Sequence, residues 1–258
     1  MAEALVRGVL NSGALKPSAI FASDVSADRR QFIAENLRVN ATPDNAEVVR
    51  SADTVVLCVK PQQVDDVLRQ IAGVFKPDRH LLASICAGVT TPRIEALLPA
   101  GARVVRVMPN TPMLVGLGAS CLCGGKNARS DDLSSIEQLF SSASLTLRVE
   151  ERMMDAVTGL SGSGPAYLFY LVEAMVDAGL AEGFTREQAV ALSARTVLGA
   201  ARMLEETKLA PEELRKRVTS PNGTTQAAVE RLDADGVKAK ITAAVRRAAE
   251  RSRELGKT

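Results

Sequence analysis

Strand signals in this chain stop near residue 150, and that change limits what each half can fold into. Before it, short apolar runs recur at residues 19–22, 54–59, 81–85 and 103–108. The strongest is Thr54-Val55-Val56-Leu57-Cys58-Val59, which is rich in β-branched residues. Helical stretches lie between them, at Ala2–Asn11 and over residues 27–36, 61–74 and 91–98. Pro61 suits the first turn of its helix, where a missing N–H costs nothing. Strands alternating with helices predict a parallel sheet covered by helices. Two further strands, 119–123 and 145–149, flank a helix over 131–142 for which Ser130 is the expected cap.

After Glu150 only helices are expected. Residues 165–182 read as a helix that is apolar on nearly all sides, through Leu168, Phe169, Leu171, Val172, Met175 and Val176. Such a helix must be buried all round. A small domain has little room to bury it alone, so a subunit interface is its natural place. Thr185-Arg186-Glu187-Gln188 has the form of a capping box and opens a helix over 185–206. Further helices follow over 211–218 and 224–232. Val237, Ile241, Val245 and Ala248 then give the last helix one apolar stripe. Arg246, Arg247, Arg251 and Arg253 form its solvated face, near a C-terminus that favours positive charge. The expected organisation is an α/β nucleotide-type domain over residues 1–149 and an all-helical domain over 150–258. No internal repeat or low-complexity linker interrupts it.

Composition excludes several classes. A formal net charge of +2 gives no electrostatic case for nucleic acid. No apolar run is long enough to span a bilayer. Met1-Ala2-Glu3-Ala4 lacks the basic start and apolar core of a signal peptide, so a cytoplasmic protein is expected. Cys58, Cys86, Cys121 and Cys123 all fall in strand-like apolar stretches and read as buried structural thiols. His80 is the sole histidine, which argues against both a metal site and a Ser-His-Asp hydrolase.

Chemistry concentrates in two loops of the second half. The first is Gly159-Leu160-Ser161-Gly162-Ser163-Gly164-Pro165-Ala166-Tyr167, ahead of the apolar helix. The second is Ser220-Pro221-Asn222-Gly223-Thr224-Thr225, between two helices. Both place backbone N–H groups, small residues and hydroxyls beside a helix start, a combination that suits a small anion such as a carboxylate. Each also has a plainer reading, as a helix-to-helix turn with an N-cap or as a capped helix start with Pro165 in its first turn. Lys60 is either a solvated lysine at a strand end or a cofactor contact, since ligands of open α/β sheets bind at the C-terminal ends of strands.

The two loops, in this order and spacing, resemble the signature region of pyrroline-5-carboxylate reductases. Three other segments carry the same resemblance: Met1-Ala2-Glu3-Ala4-Leu5, Cys58-Val59-Lys60-Pro61 and Val107-Met108-Pro109-Asn110-Thr111-Pro112. It implies a Rossmann-like N-terminal domain, an all-α C-terminal dimerisation domain, and reduction of 1-pyrroline-5-carboxylate to L-proline by hydride from NADPH, with NADH as the other choice. It implies cofactor contacts from Asp24, Asn45, Val59, Lys60, Pro61, Cys86 and Ala87. Substrate contacts are implied from Ser161, Ser163, Ser220, Gly223, Thr224 and Thr225, with the Thr225 hydroxyl donating to the ring nitrogen. No metal is implied, and the partners are the imino acid and a second copy of the chain, as a homodimer or a ring of dimers. Two departures stand out. Family members carry a strand and a Gly-x-Gly loop just before the Met-Ala of the first helix, whereas this sequence starts at that Met, as a start site placed at an internal methionine or a shortened form would. Asn222 stands where the family usually has glycine, and Asn is the residue that best tolerates positive φ in its place.

Two alternatives compete. One is a related reductase of small keto or hydroxy acids, although such enzymes usually place a lysine or histidine at the reacting oxygen. The other is a non-catalytic dimeric scaffold whose cofactor site went with the first strand.

Overall fold

The computed structural model describes residues 1–256. The chain forms two compact units, one made of Met1–Ser163 with the chain from Arg246 onward, the other of Gly164–Val245.

The first unit begins with α1 (Ala2–Asn11), β1 (Phe21–Ser23), α2 (Ala27–Leu37), β2 (Asn40–Thr42) and α3 (Asn45–Ser51). It continues through β3 (Thr54–Leu57), α4 (Val64–Ala72), β4 (Leu81–Ser84), α5 (Thr91–Ala96) and β5 (Arg103–Met108). β6 (Gly118–Gly124), α6 (Ser130–Ser141), β7 (Ser144–Arg148) and the short α7 (Met154–Val157) complete the run. β1 pairs with β2 in a two-stranded parallel sheet, and β3-β4-β5-β6-β7 form a separate sheet in that order. β3, β4 and β5 are parallel, with Leu57 level with Ser84 and Ser84 level with Arg106. β6 runs antiparallel to β5, and β7 is parallel to β6. The sequence pattern alone predicts parallel strands, but Pro112 and Gly116 turn the chain straight back after β5, so β6 must run the other way.

Strand alternation puts one residue set on each face. Leu57, Leu82 and Val104 join Val64, Leu68, Ile71 and Ile94 in one core. Leu81, Ala83, Val105 and Val107 join Leu5, Val9, Ile136 and Phe140 in the other. Each large side chain so buried stabilises the unit by about 1.5–3 kcal/mol. Helices on both faces of a largely parallel sheet are what the sequence reading expects.

Local differences have local causes. Residues 61–74 split into a 3₁₀ turn, Pro61–Gln63, and α4. Ser130 is the first residue of α6, not its cap. The start is closed instead by Asp132, whose carboxylate accepts the Arg129 N–H at 2.8 Å. β2 and α3 carried no sequence signal, because β2 is short and polar. His80 is 1% exposed, accepts the Lys76 N–H on Nδ1 at 2.8 Å and lies beside Phe75, so burial lowers its pKa and its role is packing.

The second unit holds α8 (Gly164–Ala181), α9 (Arg186–Thr207), α10 (Pro211–Arg217), α11 (Thr224–Ala234) and the first part of α12 (Val237–Leu255). Thr185 caps α9 as expected, accepting from Gln188 N at 3.2 Å while Gln188 accepts from Thr185 N at 3.0 Å. In the single chain α8 is far from buried. Phe169 is 64% and Tyr170 75% exposed, with Leu168 and Leu171 about half exposed. Four large apolar side chains on one helix in water call for a covering surface. Among the described residues no helix is long and apolar enough to cross a membrane.

Candidate active site

The strand ends of the first unit assemble one part of the site. β3 and β4 finish level, so Cys58-Val59-Lys60-Pro61 and Ile85-Cys86-Ala87 leave the sheet side by side. The Cys86 thiol donates to the Val59 carbonyl at 3.2 Å and tethers one loop to the other. Burial pushes that thiol's pKa up, so it stays a neutral donor. Lys60 is exposed just before the 3₁₀ turn that Pro61 opens.

Asn45 enters from a different element. It opens α3, accepts the Ser23 hydroxyl at 2.7 Å and donates to Gln70 on α4 at 2.8 Å. The end of β1, α3 and α4 are therefore fixed to one another. Asp24, next along, uses its carboxylate locally and accepts the Ser26 N–H at 2.9 Å. Its carbonyl and that of Val25 accept from Arg30 at 2.8 and 3.0 Å. Arg29 is held elsewhere, by Glu3 at 2.6 Å and over the Phe32 ring. Parallel-strand ends, the Ser23–Asn45 pair and a nearby arginine suit a phosphorylated nucleotide.

Ser161 and Ser163 also belong to the first unit. Their segment is helical rather than an open glycine loop. Thr158–Gly162 winds as a π-type turn between α7 and α8, with the Ser163 N–H reaching the Thr158 carbonyl at 2.8 Å. Wide turns of this kind gather at functional sites. Asn110 pins it: its side-chain N–H₂ donates to the Ser161 carbonyl at 3.1 Å, and its carbonyl accepts the Ala119 N–H at 2.8 Å. Asn110 sits in the Val107–Pro112 segment, but its sequence says nothing of this partner 51 residues away.

The second unit holds the other loop. Asn222 adopts φ 56°, the left-handed geometry expected of it. The Gly223 N–H closes a turn on the Ser220 carbonyl at 3.0 Å, and Gly223 is the N-cap of α11. No side chain caps this helix start. The Gln226 side chain instead accepts the Asn222 N–H at 2.8 Å, outside the helix. The first-turn amides of Thr224 and Thr225 therefore point out of the helix without an intrahelical partner, at the positive end of its dipole. Thr225 is half-buried there, in the first turn of α11. Such an end can hold a carboxylate and offer one neutral hydroxyl to a neighbouring atom.

Each half of the chain matches a known family. Residues 151–255 match the family described as pyrroline-5-carboxylate reductase dimerisation, and residues 1–88 match the family described as NADP oxidoreductase, coenzyme F420-dependent. A pyrroline-5-carboxylate reductase of Methanosarcina acetivorans is 44% identical over 100% of this chain and 95% of its own length. The structure of a pyrroline-5-carboxylate reductase from Coxiella burnetii superposes with a TM-score of 0.92 at 37% identity, covering 100% of this chain and 95% of that one. The Plasmodium falciparum enzyme, crystallised with NADP bound, gives 0.89 at 31% identity over 98% of this chain and 94% of its own. Likeness at this level runs from one end of the chain to the other, not over one motif, and it places the chain in the pyrroline-5-carboxylate reductase family.

Proposed function

We propose that this chain reduces 1-pyrroline-5-carboxylate to L-proline. The uncapped start of α11 carries the reading: its first-turn amides and the Thr225 side chain are the kinds of group an anionic cyclic imine needs. The Thr224 and Thr225 amides, with Ser220 and Gly223 shaping the turn, hold the substrate carboxylate. The Thr225 hydroxyl donates to the ring nitrogen. An imine is basic enough to take its proton from water, so Thr225 orients or relays and need not be a strong acid. Ser161 and Ser163, in the first unit, are the further substrate contacts that the family resemblance implies. When bound, a reduced nicotinamide would supply the hydride, and the residues of the site accelerate the reaction mostly through proximity and orientation.

The cofactor site is formed by Asp24, Asn45, Val59, Lys60, Pro61, Cys86 and Ala87, and we assign NADPH over NADH. Two local features support that choice. The Asp24 carboxylate is turned to the Ser26 N–H, and Arg30 lies against the same turn. An acid that accepts the Ser26 N–H on one oxygen has less acceptor capacity left for a ribose hydroxyl, and an arginine suits a 2′-phosphate. The helical unit builds a homodimer through α8, alone or as one unit of a ring of dimers.

Loss of the reduced-nicotinamide absorbance tests the reading. It is followed with pyrroline-5-carboxylate and each cofactor, for the 258-residue chain and for a version extended by a family-type strand and Gly-x-Gly loop. Activity in both supports the reading outright. Activity only in the extended version keeps the family chemistry and makes the shorter chain an incomplete reductase. Turnover of a 2-keto acid without the imine would move the protein to another reductase class. Inactivity of both would leave a dimeric scaffold.

A further inference from the structure

The last two turns of α12 rest on the loop that follows β4. Ala249 and Ser252 are 6% and 3% exposed there, although their neighbours Glu250, Arg251 and Arg253 are solvated. A buried hydroxyl is costly unless it is bonded. Ser252 meets that requirement, donating to the Asp155 carboxylate at 2.6 Å. Beyond it, Leu255 and Gly256 face Gly88. A methyl group added at Gly88 would stand 3.3 Å from Leu255 Cβ and 3.3 Å from the Ser252 carbonyl oxygen. One added at Gly256 would stand 2.6 Å from the Gly88 carbonyl oxygen. Gly88 itself has φ 76°, a left-handed geometry that only glycine adopts without strain. The loop is thus gripped from two sides, by the Cys86–Val59 hydrogen bond and by the end of α12.

We infer that the C-terminal end of α12 positions the cofactor loop Cys86-Ala87-Gly88, with Ser252 anchored on Asp155 so that Leu255 and Gly256 fix the Gly88 backbone. This rests on the reading above, in which Cys86 and Ala87 line the nicotinamide cofactor. Ser252 touches neither cofactor nor substrate and acts through the loop.

The test uses the full chain and its S252A, S252T and G256A variants. NADPH affinity is read by fluorescence, KM for cofactor and imine separately, and amide hydrogen exchange at residues 86–89 in the free protein. S252A is expected to raise the cofactor KM and Kd about fivefold, the factor typical of one lost hydrogen bond, G256A to raise them by displacing the Gly88 carbonyl, and both to speed exchange in the loop. The imine KM and kcat should move little, and S252T should restore parent values. Folded S252A and G256A proteins with parent cofactor KM and parent exchange would overturn the inference. Failure of the parent protein itself to bind any dinucleotide is a separate result. It would sink the reading of the site, and with it this role for α12.

Discussion

Glu151 holds Arg106 from 45 residues further along the chain, and Arg106 is 2% exposed in the middle of the sheet. The same carboxylate accepts the Thr91 hydroxyl at 3.0 Å and the Cys123 thiol at 3.3 Å. One side chain thereby fastens the start of α5 to β5 and β6. A buried ion pair adds little net stability, but breaking it strands a charge in low dielectric. E151A is expected to cost about 3 kcal/mol in urea unfolding, and R106M/E151A less than E151A alone. An E151A protein as stable as the parent would show that water satisfies Arg106.

Substitution at Thr225 separates chemistry from binding. T225A should lower kcat for imine reduction on the order of 10²-fold, as loss of a single positioned donor does, with NADPH affinity unchanged. T225S keeps the hydroxyl and should recover most of the rate. Equal rates for T225A and the parent would remove Thr225 from the mechanism.

The thiols give a pH prediction. Burial, then the Glu151 carboxylate, pushes Cys123 up to about 12, and burial pushes Cys58 up to about 12, from 9.0. A folded-state value above the unfolded one stabilises the fold wherever the thiol is neutral in both states. That contribution is complete below the unfolded value of 9.0 and is lost as pH rises toward about 12. Thermal stability should therefore fall in that alkaline window, and less steeply in C123A. At pH 8 a disulfide reagent should label Cys123, which is 3% exposed, only after denaturation. Rapid labelling of Cys123 in the folded protein would contradict the buried environment.

The assignment of α8 to the dimer contact is testable at Phe169. Phe169 is 64% exposed in the single chain, in a segment matching the family's dimerisation region. F169E should shift the mass measured by light scattering to that of the monomer, since burying an unpaired carboxylate costs more than the contact provides. An unchanged oligomer would place the interface elsewhere.

Asn222 holds the Ser220–Thr225 turn at φ 56°. N222G should be near neutral in stability and in imine KM. N222V forces a β-branched residue into left-handed geometry, which costs about 1–2 kcal/mol and should raise the imine KM. Equal imine KM for all three proteins would detach the turn from the substrate.

Sequence alone determined the features that depend on near neighbours. The stop of strand signals near residue 150, the Thr185 capping box and the left-handed turn at Asn222 are written in residues a few positions apart. So were the Ser220–Thr225 loop and the segments that mark the family, because each motif is a contiguous run, whereas the Gly159–Tyr167 run winds as helix. Tertiary structure decided what depends on distant partners. The polar three-residue β2 exists because β1 offers it a ladder, at Phe21 to Asn40. β6 runs antiparallel because the chain reverses after β5. Arg106 and Ser252 are ordinary surface residue types that lie buried because Glu151 and Asp155 wait for them across the fold. Burial of a polar group is permitted only by its partner, and a partner far along the chain leaves no local trace in the sequence.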